Sequence, residues 1–153
     1  MSNNSDLITS IMLAVFRTNG NLLSCGDQLV SRLGLTSARW QILGAIALPG
    51  KPQTVPQIAE TMGITRQGAL KQANRLVEEG LLELLPNPRH ERSPLYALSS
   101  DGAAAYESAS QLNSAWTAKL ARGMSHADLD TTLRVLHALN DMLADKLPPE
   151  VRT

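Results

Sequence analysis

The sequence predicts a mainly α fold with one small β-hairpin, and three observations predict it. Thr54, followed three residues later by Gln57, opens a helical pattern that Gly63 closes. Thr65 opens a second pattern that Gly80 closes. The short apolar runs 81–85 and 95–98 then bracket a polar, Pro-flanked loop. Helix, tight turn, helix and hairpin in that order make a winged helix-turn-helix. Residues 36–99 carry this module, with 1–35 expected as an N-terminal dimerisation helix and 100–153 as a C-terminal linker and dimerisation helices.

Each element follows from its residues. Between Asp6 and Leu33 the apolar Ile11, Val15, Leu22, Leu29 and Leu33, with Thr18 and Cys25 between them, fit a roughly seven-residue helical repeat. Gly20 and Gly26 weaken that helix, each by about 1 kcal/mol relative to Ala. Leu35 and Thr36 open a helix containing Trp40. Thr54 and Gln57 form a capping box, and Pro56 lacks only an N–H that has no partner in a first turn, so a helix starts at Val55. Its Val55, Ile58, Ala59 and Met62 share a face, and small Ala59 lets a second helix cross closely. Gly63 tolerates the left-handed backbone of a helix end, Ile64 plugs the turn, and Thr65 caps a helix running to Glu79. There Ala69, Leu70, Ala73, Leu76 and Val77 read as one buried stripe. Beyond the hairpin, residues 100–122 read as an Ala-rich connecting helix with Tyr106, Leu112 and Trp116 as its larger groups. Ser125 and Asp128 form a second capping box, and Leu129, Leu133, Leu136, Leu139 and Leu143 make an apolar stripe up to Pro148 and Pro149.

The outward face of the second helix in the module carries the chemistry. After Thr65 come Arg66, Gln67, Gly68, Lys71, Asn74 and Arg75. Arg and Lys donate to guanine edges or phosphates, Gln and Asn match adenine edges, and Gly lets the backbone approach closely. Any amphipathic helix shows polar groups outward. Its position after a Gly-bearing turn is what marks this one as a reading head for duplex DNA. The hairpin tip adds Arg89, His90 and Arg92, a cationic finger suited to the minor groove.

Here the chain resembles the MarR (multiple antibiotic resistance regulator) family. The resemblance rests on the order of elements, on Leu35-Thr36 opening the helix with Trp40, and on the tract Arg75-Leu76-Val77-Glu78-Glu79-Gly80-Leu81-Leu82 before a Pro-flanked wing. The family's wing carries Asp-x-Arg, five residues, then Leu-Thr. This chain has His90-Glu91-Arg92, five residues, then Leu98-Ser99, so His90 stands where the family has Asp. The resemblance implies that Arg92 enters the minor groove and that either neighbouring Glu91 replaces the missing carboxylate or the wing is looser. It also implies a homodimer joined by terminal helices, presenting two recognition helices to a pseudo-palindromic operator. A repressor released by a small aromatic or anionic effector is the expected regulator, with Arg17, Arg39 and Trp40 as candidate clamp and wall. Some family members sense oxidants through an N-terminal-helix Cys. Cys25, the single cysteine, sits on the apolar repeat with no cation beside it in sequence, which favours a small hydrophobe over a redox switch.

Composition sets the bounds. The 153 residues are 43% hydrophobic but only 3% aromatic, so the core is aliphatic. No run of about 18 apolar residues occurs, and the first residues lack a basic stretch before an apolar one, so a cytoplasmic protein off the membrane is expected. Net charge is zero, with 14 basic and 14 acidic residues, but it is unevenly spread. Residues 36–100 carry seven basic and five acidic groups, and 101–153 carry five and seven. The field at the reading head is therefore modest, and the zero balance supports an alternative, a winged-helix module that binds protein or RNA without sequence-specific duplex binding. His90, His126 and His137 are scattered, and there is neither a Gly-rich phosphate loop nor a nucleophile elbow. No catalysis, cofactor or metal is expected.

Overall fold

In the computed structural model, which describes residues 3–144, the chain begins with helix α1 (Asn4–Val30) and a single 3-10 turn (Ser31–Leu33). Then come α2 (Ser37–Ala47), α3 (Val55–Met62), α4 (Arg66–Glu78), the strands β1 (Leu82–Leu85) and β2 (Leu95–Leu98), α5 (Ser100–Leu120) and α6 (His126–Ala144). The chain divides into two compact units between Ala115 and Trp116.

Helix ends form where the side chains supply caps. Thr54 Oγ1 accepts from the Gln57 N–H while Gln57 Oε1 accepts from the Thr54 N–H, the reciprocal pair expected of a capping box. Gly63 ends α3 at φ 63°, left-handed, with its N–H bonded back to Ala59 and Glu60. Thr65 caps α4 by accepting from Gly68 at 3.0 Å, and Ser125 Oγ accepts from the Asp128 N–H at the head of α6. The Pro148–Pro149 stop lies outside the described residues.

The core of the first unit is built around α2, which packs on α1, α3, α4 and β2. Ile42, Leu43, Ala45 and Ile46 are all buried, as a helix surrounded by protein requires. Ala59 of α3 and Ala69 and Ala73 of α4 are buried at the α3–α4 contact, where small side chains permit close crossing. The hairpin pairs Leu82 with Leu98 and Leu85 with Leu95. A single residue extends it: Gln53 exchanges both main-chain hydrogen bonds with Tyr96, at 3.0 and 2.8 Å.

Two glycines are required by close approach. A Cβ on Gly26 would lie 2.3 Å from Ser37 Oγ, at the point where Ser37 joins α1 by donating to the Leu23 carbonyl and to Asp27 Oδ1. The glycine that sequence reading took as a weakness of α1 is thus what seats α2 on it. A Cβ on Gly102 would lie 1.9 Å from the Leu81 carbonyl oxygen, where α5 starts beneath the hairpin.

Two expected stripes differ in the structure. On α4, Ala69, Ala73 and Leu76 are buried, Val77 is half-buried, and Leu70 is 44% exposed. Adjacent helix positions are turned by about 100°, so Leu70 falls at the rim of the stripe that α2, α3 and β1 cover. On α1 only Gly26 and Val30 are buried. Ile11 and Leu29 are half-covered, while Val15, Leu22 and Cys25 are exposed, together with Leu7, Met12 and Phe16. The repeat is present in sequence, but among the described residues only its Ile11, Leu29 and Leu33 positions are half-covered.

Candidate nucleic-acid interface

Arg66, Gln67, Leu70, Lys71, Asn74 and Arg75 are exposed along α4, the helix that follows the Gly63 turn. Thr65, also exposed, spends its oxygen on the cap and keeps a hydroxyl hydrogen to donate. Gly68 is half-buried in the first turn, and its N–H is the one Thr65 caps. Next to the head of α2, an open cleft of about 640 Å³ is lined by Thr36, Arg39, Lys71, Gln72, Asn74, Arg75 and Glu78. Cationic side chains beside a helix N-terminus suit a phosphate backbone.

The cations of this surface are not equivalent. Arg39 Nη1 donates to both oxygens of Glu79, at 2.7 and 2.5 Å, and Nη2 donates to the Gly34 carbonyl. Arg75 Nε donates to the same carboxylate at 2.8 Å. Burial pushes the Glu79 carboxyl up, but the hydrogen bonds and charges of Arg75 and Arg39 outweigh it and hold the group below the ordinary carboxylate range. Glu79 is therefore ionised at neutral pH and offsets part of the charge that sequence reading assigned to Arg75. Arg66 and Lys71, by contrast, make no ion pair among the described residues.

This arrangement has a measurable sign. A carboxyl with a depressed folded-state pKa contributes stability that is present above its unfolded value and is lost as pH falls through the folded one. Glu79→Gln is expected to lower the melting temperature at neutral pH and to flatten the acid side of the stability profile. It should also steepen the salt dependence of duplex binding, because Arg75 is released. Identical salt slopes for Glu79→Gln and the parent would show that Arg75 is already available.

The wing tip is organised by Asn87, a residue that sequence reading passed over. Its Nδ2 donates to the Ser93 carbonyl at 2.9 Å, and its Oδ1 accepts from the Arg89 N–H. The His90 N–H donates to the Asn87 carbonyl, and the Ser93 N–H to that of His90. The Pro-Asn-Pro sequence was the available signal, since Asn side chains nucleate such turns. Arg89, His90 and Arg92 are exposed on this framed loop. Glu91 makes no ion pair among the described residues, so Asn87, rather than the neighbouring carboxylate, ties the loop. At the wing's exit Ser99 Oγ donates to the Gly80 carbonyl and accepts from the Gly102 N–H, joining β2 to α5.

The expected effector trio is not brought together. Arg39 faces the α4 side and is held by Glu79. Trp40 lines a separate cleft of about 240 Å³ with Gln41, Gly44, Leu48, Met62, Tyr106 and Asn113. Arg17 lies on the exposed part of α1. Neighbours in sequence on a helix point about 100° apart, which is why Arg39 and Trp40 serve different surfaces. No group of His, Cys, Asp and Glu among the described residues is placed to hold a metal ion.

Comparison with known proteins places these features. A family model described as MarR family matches residues 33–93, from the start of the module to the wing. An uncharacterized protein of Mycobacterium tuberculosis is 43% identical over 98 residues, spanning 64% of this chain and 67% of that protein. Among solved structures, a MarR family transcription regulator superposes with a TM-score of 0.76 at 26% identity, covering 92% of this chain and 93% of the other. A mutant MarR from E. coli complexed with operator DNA superposes with a TM-score of 0.74 at 22% identity, covering 90% and 99%.

Proposed function

The chain belongs to the MarR family of transcription regulators, and from that premise we propose that it binds a pseudo-palindromic operator as a homodimer and represses the promoter it covers. The observation that carries this reading is one surface on one packed unit. An exposed row of Arg66, Gln67, Lys71 and Asn74 on α4 accompanies a wing whose tip carries Arg89, His90 and Arg92. Base-edge donors and acceptors on a helix specify sequence, and the cationic wing adds groove and phosphate contacts. No helix of the described residues is long and apolar enough to cross a membrane.

Two subunits are proposed because the terminal helices leave their apolar faces uncovered. Phe16 on α1 is 72% exposed, and Leu133 and Leu143 on α6 are 54% and 60% exposed. Exposed apolar area on this scale marks an interface, and a second copy supplies matching faces by two-fold symmetry. The double variant Phe16→Glu/Leu133→Glu is expected to sediment as a folded monomer and to lose the tight operator complex, retaining only bulk-DNA affinity. An intact dimer would move the interface elsewhere.

Release by a small effector completes the proposal. Its support is the Trp40 cleft, whose Leu48, Met62 and Tyr106 suit an apolar aromatic group. Trp40→Ala is expected to abolish effector-induced release while leaving operator binding within a few-fold. Arg17→Ala should do the same only if a carboxylate is read from α1, and unchanged release would take Arg17 out of the site.

The deciding experiment titrates the purified protein against genomic duplex fragments, including those around its own gene, at two salt concentrations. Tight binding of two subunits to one pseudo-palindromic fragment, well above bulk DNA, is expected. A promoter reporter carrying that fragment should be silenced by the protein. Uniform weak binding to every fragment would favour a protein- or RNA-interaction module instead.

A further inference from the structure

Asn74 is an outward residue of the reading row that is also tied to the wing. Tyr96 lies on β2 with 2% exposure, and its hydroxyl meets Asn74 Oδ1 at 2.8 Å. The ring cannot swing away easily. The residue's own N–H and carbonyl are both bonded to Gln53, and it sits opposite Leu84 in the β1–β2 register. Burial raises the Tyr96 pKa, so the phenol keeps its hydrogen, and a buried hydroxyl hydrogen needs an acceptor. That acceptor is the Asn74 carbonyl oxygen, which fixes which end of the amide is engaged with the protein.

Resting on the DNA-reading role proposed above, we propose that Tyr96 is a specificity-positioning residue: it anchors Asn74 by its oxygen, so that Asn74 meets DNA as a donor. An unconstrained Asn matches adenine by presenting oxygen and amide nitrogen together, to N6 and N7. With the oxygen held by a buried hydroxyl, the two Nδ2 hydrogens are the groups offered outward. They suit edges without an opposing donor at that position, guanine through O6 and N7 or thymine through O4, whereas adenine sets its N6–H2 donor beside N7. The wing strand thereby takes part in choosing a base without touching it. The adenine pairing that the residue type alone suggests for Asn74 is replaced by an acceptor-edge preference.

The test is selection from a duplex library with randomised half-sites, followed by sequencing of the bound fraction for the parent, Tyr96→Phe, Asn74→Ala, Asn74→Asp and the Tyr96→Phe/Asn74→Ala double variant. The parent is expected to prefer guanine or thymine over adenine at one position in each half-site, by roughly tenfold for a good side-chain contact. Asn74→Ala should level that position. Tyr96→Phe should admit adenine there to within about threefold, which loss of one net hydrogen bond allows, and should change nothing further in the Asn74→Ala background. Asn74→Asp keeps an acceptor for Tyr96 but loses the donors, so it should also lose the preference, a check independent of how well Tyr96→Phe folds. A Tyr96→Phe profile identical to the parent, or a parental preference for adenine at the Asn74-dependent position, overturns the proposal. A parent that selects no sequence at all overturns the operator-binding reading itself, and the proposal with it.

Discussion

Lys71→Ala is expected to weaken operator binding by about 30- to 1,000-fold, since each lost contact costs roughly 1–2 kcal/mol and a dimer loses two. Lys71 is exposed at the middle of the outward face of α4, lines the cleft beside the head of α2, and has no ion-pair partner among the described residues. Its full charge is therefore available to DNA. Arg75→Ala should cost less, because Glu79 already engages that guanidinium at 2.8 Å. Titration of both variants against the operator and against bulk duplex, at several salt concentrations, measures the difference. If Lys71 contacts phosphate, affinity falls evenly across sequences and the salt slope shrinks by about one per subunit. If it contacts a base edge, one half-site position loses its preference. Binding unchanged by Lys71→Ala would remove α4 from the DNA interface and favour the interaction-module reading.

Gly102→Ala is expected to destabilise the first unit by about 1–3 kcal/mol or more, the range for forcing atoms into a packed site. The added Cβ meets the Leu81 carbonyl oxygen at 1.9 Å and its carbon at 2.9 Å. Both are backbone atoms, so no side-chain rotation relieves the clash. The Leu81 carbonyl is also the acceptor for the Ser99 N–H, so displacing it disturbs the joint between hairpin and α5. A fall in melting temperature of roughly 2–12 °C follows for a chain of this size. Gly20→Ala is the matched control. Nothing lies within 4 Å of its Cβ position, and removing a helix-interior glycine should stabilise by up to about 1 kcal/mol. Calorimetry or thermal denaturation of the two variants should give shifts of opposite sign, and equal shifts would refute the clash argument.

These two cases mark where sequence reading succeeds and where it stops. Caps and turns are local: Thr54 with Gln57, Gly63 and Thr65 each act within four residues of themselves, and each holds the place their spacing implies. The wing strands were likewise legible, because two short apolar runs on either side of a Pro-bounded polar loop have few other uses. The family resemblance drawn from these elements agrees with the match over residues 33–93. Gly26 and Gly102 were opaque for the opposite reason. Their role depends on Ser37 and Leu81, which only packing brings near them.

The candidate site divides along the same line. That α4 carries Arg66, Gln67, Lys71, Asn74 and Arg75 outward followed from helical period and composition alone, since burial of Ala69, Ala73 and Leu76 dictates the opposite face. Arg75 is engaged locally, by Glu79 four residues on, and contacts across 22 to 40 residues of chain decided the rest. Arg39 brings Glu79 into competition for Arg75, and Tyr96 takes the oxygen of Asn74. Arg39 and Trp40, adjacent in sequence, were separated onto two surfaces by the turn of one helix. Periodicity and capping chemistry are written in neighbouring residues and so determined the helices, the hairpin and the polar face. Hydrogen-bond partners and ion pairs form between distant residues, so only the tertiary structure decided which charges and amides this protein has left to offer DNA.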